Sequence, residues 1–147
     1  MSGRAMAALV GTLVTVAAAC GGSDGGGSKP GAADVQKRAA RFAECAKKSP
    51  FVVVVPKPPN ERTDFLRGDG FDFAEVDLEE RPLLFFSAIV DFFPSRSQAA
   101  RARDKIAASL FGPPPVQQKD VVVHYTDEPE TAKRKTVEAV VLGCLRG

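Results

Sequence analysis

The 147-residue chain is poor in histidine, cysteine and the larger aromatic residues: it has one His, three Cys, one Tyr and no Trp. A Ser–His–Asp arrangement would therefore have to use His124, because the chain has no other histidine. His124 falls in the middle of a predicted strand and shares a face with Val122. We interpret it as a histidine on the surface of a sheet.

The common catalytic motifs are missing as well. The chain has no Gly-x-Ser-x-Gly, Ser-x-x-Lys, His-Glu-x-x-His or Cys-x-x-Cys, and no glycine loop that would cradle a phosphate. We therefore name no catalytic residue, no metal ligand and no cofactor, and we expect a protein that is not an enzyme.

Neither sign of charge is in marked excess. Lys and Arg total 20 against 18 Asp and Glu, which gives a formal net charge of +2. Recognition of nucleic acid needs a concentrated basic face, so we expect no nucleic-acid partner.

The first 19 residues contain the features of a secretory signal. Arg4 precedes an apolar segment, 7–19, of about 13 residues, which is shorter than the roughly 20 residues that span a bilayer as a helix. Small residues come directly before Cys20, and a run rich in Gly and Ser follows it. We predict a signal peptide over 1–19, a tether over 20–32 and one globular domain over 33–147.

Ala18, Ala19 and Cys20 resemble the last three positions of the lipobox of bacterial lipoprotein precursors, with Ala17 where that family usually has leucine. The resemblance implies that the thiol of Cys20 carries a diacylglycerol and that cleavage leaves Cys20 as the first residue. It places the domain on the outer face of the cytoplasmic membrane, with the membrane as a partner through the lipid. Secretion without a lipid and an uncleaved signal anchor remain alternatives.

Two cysteines remain once Cys20 is assigned to a lipid. An even pair in an exported domain favours a disulfide between Cys45 and Cys144, which would close a loop of about 100 residues. Two buried free thiols or a metal site are the alternatives.

The sequence of the globular domain, 33–147, predicts both helices and strands. Helices are expected over 34–48, from 95 to the Gly-Pro-Pro-Pro that begins at Gly112, and over 132–145; strands are expected over 51–55, 83–93 and 120–125, with a weak strand over 71–78. Lys37, Arg38 and Arg41 lie on a basic face of the first helix, which we interpret as a solvated face rather than one that touches anionic lipid.

This order predicts an α+β fold in which a small mixed sheet of three to four strands packs with three helices. The unit over 83–125 should form a right-handed crossover. The first and last helices should lie side by side, joined by the disulfide.

The layout also resembles small exported domains of actinobacterial lipoproteins. The features that carry the resemblance are a helix-borne cysteine (Cys45), the strand over 121–125, and a closing helix that ends in Cys144-Leu145-Arg146. That resemblance implies no activity.

An acidic stretch over 69–80 is the one group of residues that could take part in catalysis or metal binding. We expect it to be a solvated loop and a candidate surface for another envelope protein or a peptide. Its members are Asp69, Asp72, Glu75, Asp77, Glu79 and Glu80.

Three hypotheses follow. The first is a lipid-anchored, non-enzymatic binding or accessory module of the cell envelope. The second is a small envelope hydrolase or calcium-binding domain that uses the acidic stretch, although the Asp-x-Asp-x-Asp-Gly spacing is absent. The third is a stabilised spacer.

Overall fold

The computed structural model of the chain describes residues 30–55, 61–81, 87–109, 113–126 and 132–147. The signal peptide, Cys20 and nearly all of the predicted tether lie outside these residues, as do residues 83–86 of the predicted central strand. Within the described ranges the chain has an α+β fold, as the sequence predicts.

Four helices and five strands make up the described part of the chain. In chain order they are α1 (Pro30–Lys47), β1 (Val52–Val55), α2 (Glu61–Gly68), β2 (Ala74–Glu80), β3 (Ser87–Phe92), α3 (Arg96–Ser109), β4 (Val116–Gln118), β5 (Val121–Tyr125) and α4 (Ala132–Arg146). Two of these, α2 and β4, were not expected from the sequence. In addition, α1 begins at Pro30 rather than near Asp34, because proline lacks only an N–H that the first helical turn does not use.

The strands form one sheet in the order β1-β2-β3-β5-β4. Every neighbouring pair is antiparallel, so the sheet is not mixed as expected. The unexpected strand β4 is the physical reason. It adds one more reversal after α3, so that β5 lies between β3 and β4 and runs antiparallel to both. The parallel strands that α3 connects are therefore β3 and β4, which are not neighbours in the sheet, rather than β3 and β5.

Alternate residues of the strands bury two separate cores. Val76, Val90 and Val123 face the larger core, which contains apolar side chains of α1 and α4. Val122 faces the smaller core on the opposite side, with Leu66 of α2 and apolar side chains of α3. Both faces of the central strands are therefore covered.

The predicted start of α3 is present. The backbone N–H of Gln98 donates to the Ser95 hydroxyl at 3.2 Å, as in a helix N-cap. Ala99, Ala102 and Ile106 form the buried stripe of this helix.

A disulfide joins Cys45 of α1 to Cys144 of α4, with the two Cα atoms 5.7 Å apart. It links positions separated by 99 residues and holds the first and last helices together, as predicted. None of the helices in the described ranges combines the length and the hydropathy that a bilayer-spanning segment requires.

Removal of this cross-link should destabilise the domain. The chain-entropy argument for so long a loop gives a loss on the order of 4 kcal/mol. We expect Cys45→Ala/Cys144→Ala to unfold at a lower urea concentration than the oxidised wild type. Wild type treated with dithiothreitol is the matched control and should behave like the variant. Equal unfolding midpoints for oxidised and reduced wild type would contradict this prediction.

Candidate functional site

The acidic stretch is not a solvated loop. Four of its six carboxylates lie in β2, which is an internal strand between β1 and β3. The side chains of this strand alternate, so Glu75, Asp77 and Glu79 lie on one face and Glu80 on the other. Asp77 and Glu80 are only 4% and 8% exposed. The stretch therefore does not form the single acidic surface that the sequence suggested.

Arg62, on the unpredicted helix α2, explains how carboxylates are accommodated on the sheet. Its guanidinium donates to Glu75 Oε2 at 2.5 Å and to both carboxylate oxygens of Asp91. The Arg62 side chain is 10% exposed, that of Glu75 15% and that of Asp91 0%. Glu75 and Asp91 are direct cross-strand neighbours on β2 and β3, so one cation can bridge both.

Burial decides the protonation of these groups. It raises the pKa of Asp91 to about 7, against an opposing effect of Arg62 and with a further rise from Glu75 and Asp77. The pKa of Glu75 is also raised, chiefly by burial. One arginine cannot compensate three neighbouring carboxylates, so the cluster holds a proton more tightly than an exposed carboxylate would.

His124 lies one row further along the sheet. Asp77 pairs with Ile89 and Ile89 with His124, so the three residues share a row across β2, β3 and β5. His124 is only 6% exposed, and neither ring nitrogen has a hydrogen-bond partner among the residues that the structure describes. Burial, with a smaller effect of Arg62, lowers its pKa, which favours the neutral ring. The histidine is on the sheet as expected, but it is buried rather than on the surface.

The pH dependence of stability tests this cluster. Folded Asp91 holds its proton up to about pH 7, whereas an unfolded aspartate loses it near 3.8, so folding takes up a proton between these values. Stability should fall as pH rises through this window, by at most about 1.4 kcal/mol per pH unit. His124 has the opposite effect on the pH dependence of stability. Because its pKa is lowered in the folded state, the folded domain loses stability as pH falls below about 6.5.

We expect Asp91→Asn to reduce the fall in melting temperature between pH 5 and pH 7.5, whatever its effect on stability at a single pH. Asp64→Asn, at an exposed position of α2, is the matched control and should leave the slope unchanged. Thermal unfolding monitored by circular dichroism measures both. The same slope in Asp91→Asn and wild type would show that Asp91 does not hold the proton.

An open cleft lies on the other side of the molecule, at the end where the disulfide joins α1 to α4. Its volume is about 650 Å³, within the range of small-molecule sites. The second half of α1, the turn between β4 and β5, and the end of α4 form its walls. Apolar groups line its inner part: Phe42, Phe92, Val121, Leu145 and the disulfide cysteines. The rings of Phe42 and Phe92 are in contact, with centroids 5.5 Å apart.

Four cationic side chains also line this cleft: Arg38, Arg41, Lys119 and Arg146. Arg38 is already occupied, because it contacts the carboxylates of Asp120 and Asp34 and donates to a backbone carbonyl. Arg41, Lys119 and Arg146 are exposed, and none of them forms an ion pair within the described ranges. The cleft thus combines an apolar lining with three uncompensated positive charges.

The turn that carries Lys119 is held firmly. The Gln117 amide donates to the backbone carbonyls of Lys119 at 2.8 Å and Arg96 at 3.1 Å. On the other side, Arg38 binds the Asp120 carboxylate, and the N–H of Phe93 donates to the Asp120 carbonyl at 2.9 Å. This wall of the cleft is therefore preorganised.

Lys119 adopts φ 54°, in the left-handed region, and is the one non-glycine residue in the described ranges that does so. This conformation costs a residue other than glycine on the order of 1 kcal/mol. The lysine therefore stays at the cleft at a cost to stability.

Lys119→Gly should raise the unfolding free energy by about 1 kcal/mol, because glycine reaches this φ without strain. Lys119→Ala removes the same charge but keeps the strain, so it should give no such gain. Urea unfolding of both variants beside wild type makes the comparison. A gain of equal size in both would assign the effect to charge rather than to backbone conformation.

Sequence reasoning found the two cysteines but missed the cleft. Its residues come from four segments far apart in the chain, and the basic face of α1 was interpreted as solvated. Arg38 and Arg41 of that face line the cleft, whereas Lys37 does not. The positions of Arg41 and Arg146 near the two bridged cysteines were the available signal.

Comparisons of this chain with protein-family models, with curated proteins and with solved structures found no match.

Proposed function

We propose that this chain is a lipid-anchored, non-enzymatic binding module on the outer face of a bacterial cytoplasmic membrane, and that it binds its ligand in the cleft between α1 and α4. The observation that carries the proposal is the combination in one cleft of an apolar lining with three uncompensated cations. Ligand pockets are usually concave and combine apolar side chains with charged or polar groups that orient the ligand.

The anchor is supported by the signal-like segment before Cys20 and by its spacing from α1. About ten residues separate Cys20 from Pro30, and a Gly/Ser-rich segment of that length reaches roughly 15–20 Å as a random coil. The disulfide also supports export, because disulfides persist in oxidising compartments.

The absence of an enzymatic role is supported by the state of the groups with catalytic potential. Asp91 is fully buried and bound to Arg62. His124 is also buried, so that a substrate in the cleft could not reach either side chain.

The calcium or hydrolase alternative is less well supported, because the acidic side chains diverge. Asp69 is paired with Lys105, and Glu80 lies on the face opposite Glu75 and Asp77. In the described ranges, no three His, Cys, Asp or Glu side chains are arranged to hold a metal ion. The same divergence makes the acidic stretch a poorer partner surface than the cleft.

The anchor is tested by the intact mass of the protein from the membrane fraction. We expect a mass equal to residues 20–147 plus a diacylglycerol for wild type, and an unprocessed or released chain for Cys20→Ser. Ala99→Ser keeps Cys20 and changes a residue in the buried stripe of α3. It should retain the wild-type processing, and so it controls for loss of the protein that does not depend on Cys20. A wild-type mass that retains Met1, or that lacks the lipid, would overturn the anchor.

Binding in the cleft is tested by photocrosslinking in intact cells. A photoreactive amino acid at the position of Lys119 should gain an adduct, detected as an increase in intact mass. The same amino acid at the exposed position of Lys135, outside the cleft, is the control. Adducts of equal yield at both positions, or none at position 119, would overturn the binding role.

A further inference from the structure

We propose that the ligand of the cleft is a small amphiphilic anion: one molecule with a phosphate or carboxylate head and an apolar chain. This inference deepens the binding role proposed above and rests on it.

The apolar chain is required by the lining of the cleft. Leu145 and the disulfide cysteines are partly exposed in the cleft, beside the buried rings of Phe42 and Phe92. A purely polar ligand would leave these surfaces in contact with water. An apolar chain would cover them, with a gain of roughly 25 cal/mol for each Å² removed from water.

The anionic head is required by the charges. Arg38 and Asp120 neutralise each other, which leaves Arg41, Lys119 and Arg146 as the cationic side chains of the cleft without an ion pair in the described ranges. Guanidinium groups bind phosphate and carboxylate through two parallel hydrogen bonds, so Arg41 and Arg146 suit either head group. The preorganised turn brings Lys119 to the same cleft.

The concave shape favours a single bound molecule over contact with the surface of a bilayer. Adsorption to anionic headgroups needs basic residues on an outward face, and it leaves a recessed apolar lining unused. The open cleft of about 650 Å³ places its apolar residues and its cations around one concave space.

The test uses the full chain with Cys20→Ser in every sample, so that no attached lipid competes. Decyl phosphate and decanoate, below their micelle concentrations, are titrated by calorimetry beside inorganic phosphate and decanol. We expect one molecule of decyl phosphate or decanoate per chain. The affinity for either should exceed that for phosphate or decanol by about tenfold or more, because head and chain both contribute.

Two double variants with the same change in charge supply the matched control. Arg41→Gln/Arg146→Gln should weaken the binding of the amphiphiles by about tenfold or more, since both guanidinium groups that bind the anionic head are lost. Lys37→Gln/Lys135→Gln removes two exposed cations of the same helices outside the cleft, and should change the affinity by less than about twofold. Leu145→Ala should weaken decyl phosphate but not inorganic phosphate, and its melting curve shows whether it is folded.

The other outcomes overturn the inference in distinguishable ways. Inorganic phosphate binding as tightly as decyl phosphate would reject an amphiphile but keep the binding role. Anionic phospholipid vesicles are titrated as a further probe, and binding to them but to none of the soluble probes would assign these cations to the bilayer surface. An equal loss in the two double variants, or several molecules bound per chain, would indicate nonspecific adsorption. Failure of every probe together with no crosslink at position 119 would remove the proposed function as well.

Discussion

The covalent link between α1 and α4 is the constraint on which the open side of this molecule depends. Cys45 and Cys144 lie at the inner edges of two helices that cover the same face of the sheet. Buried side chains such as Phe42 and Val141 pack these helices onto the strands. Beside the bridge, the ends of the two helices and the turn at Lys119 surround an open cleft, with Phe92 and Val121 buried at its base. The same bond thus stabilises the fold and forms part of the site.

The opposite face is organised by charge. Glu75 and Asp91 lie side by side on the two central strands, where a sheet would ordinarily bury apolar residues. The guanidinium of Arg62 donates to both carboxylates and so links α2 to the sheet. A buried ion pair of this kind contributes little net stability, but loss of one partner is costly because the others remain buried and charged. Asp91 and His124 are buried on this face, whereas Arg41, Lys119 and Arg146 are exposed on the disulfide side.

Some elements could be predicted from the sequence and others could not, for identifiable physical reasons. The capping serine of α3, the strand over 121–125 and the cysteine pair were predictable because each depends on local chemistry or on a simple count. Helix α2 was missed because Leu66 is its one fully buried apolar side chain, too little for a helical period. The acidic stretch was misjudged because its carboxylates look solvated until Arg62, more than ten residues away, is brought over them.

Whether the strands run parallel or antiparallel depended on detecting β4, whose sequence signal is also weak. Strand β4 has three residues, and its Val116 is exposed, so no hydrophobic alternation reveals it. Without that strand, the segment between β3 and β5 predicts a parallel crossover. The cleft was beyond local patterns altogether, because Arg41, Lys119 and Arg146 meet only through the disulfide and the turn.

The most direct test of the cleft as the binding site is an NMR titration of the ¹⁵N-labelled chain with decyl phosphate. If decyl phosphate binds in the cleft, we expect shifts of the backbone signals in the second half of α1, in the turn at Lys119 and at the end of α4. The side-chain Nε–Hε signals of Arg41 and Arg146 should shift with them, while those of Arg62 and Arg96 stay in place. Shifts centred on α2 and α3, or spread over all exposed cations, would contradict binding in the cleft.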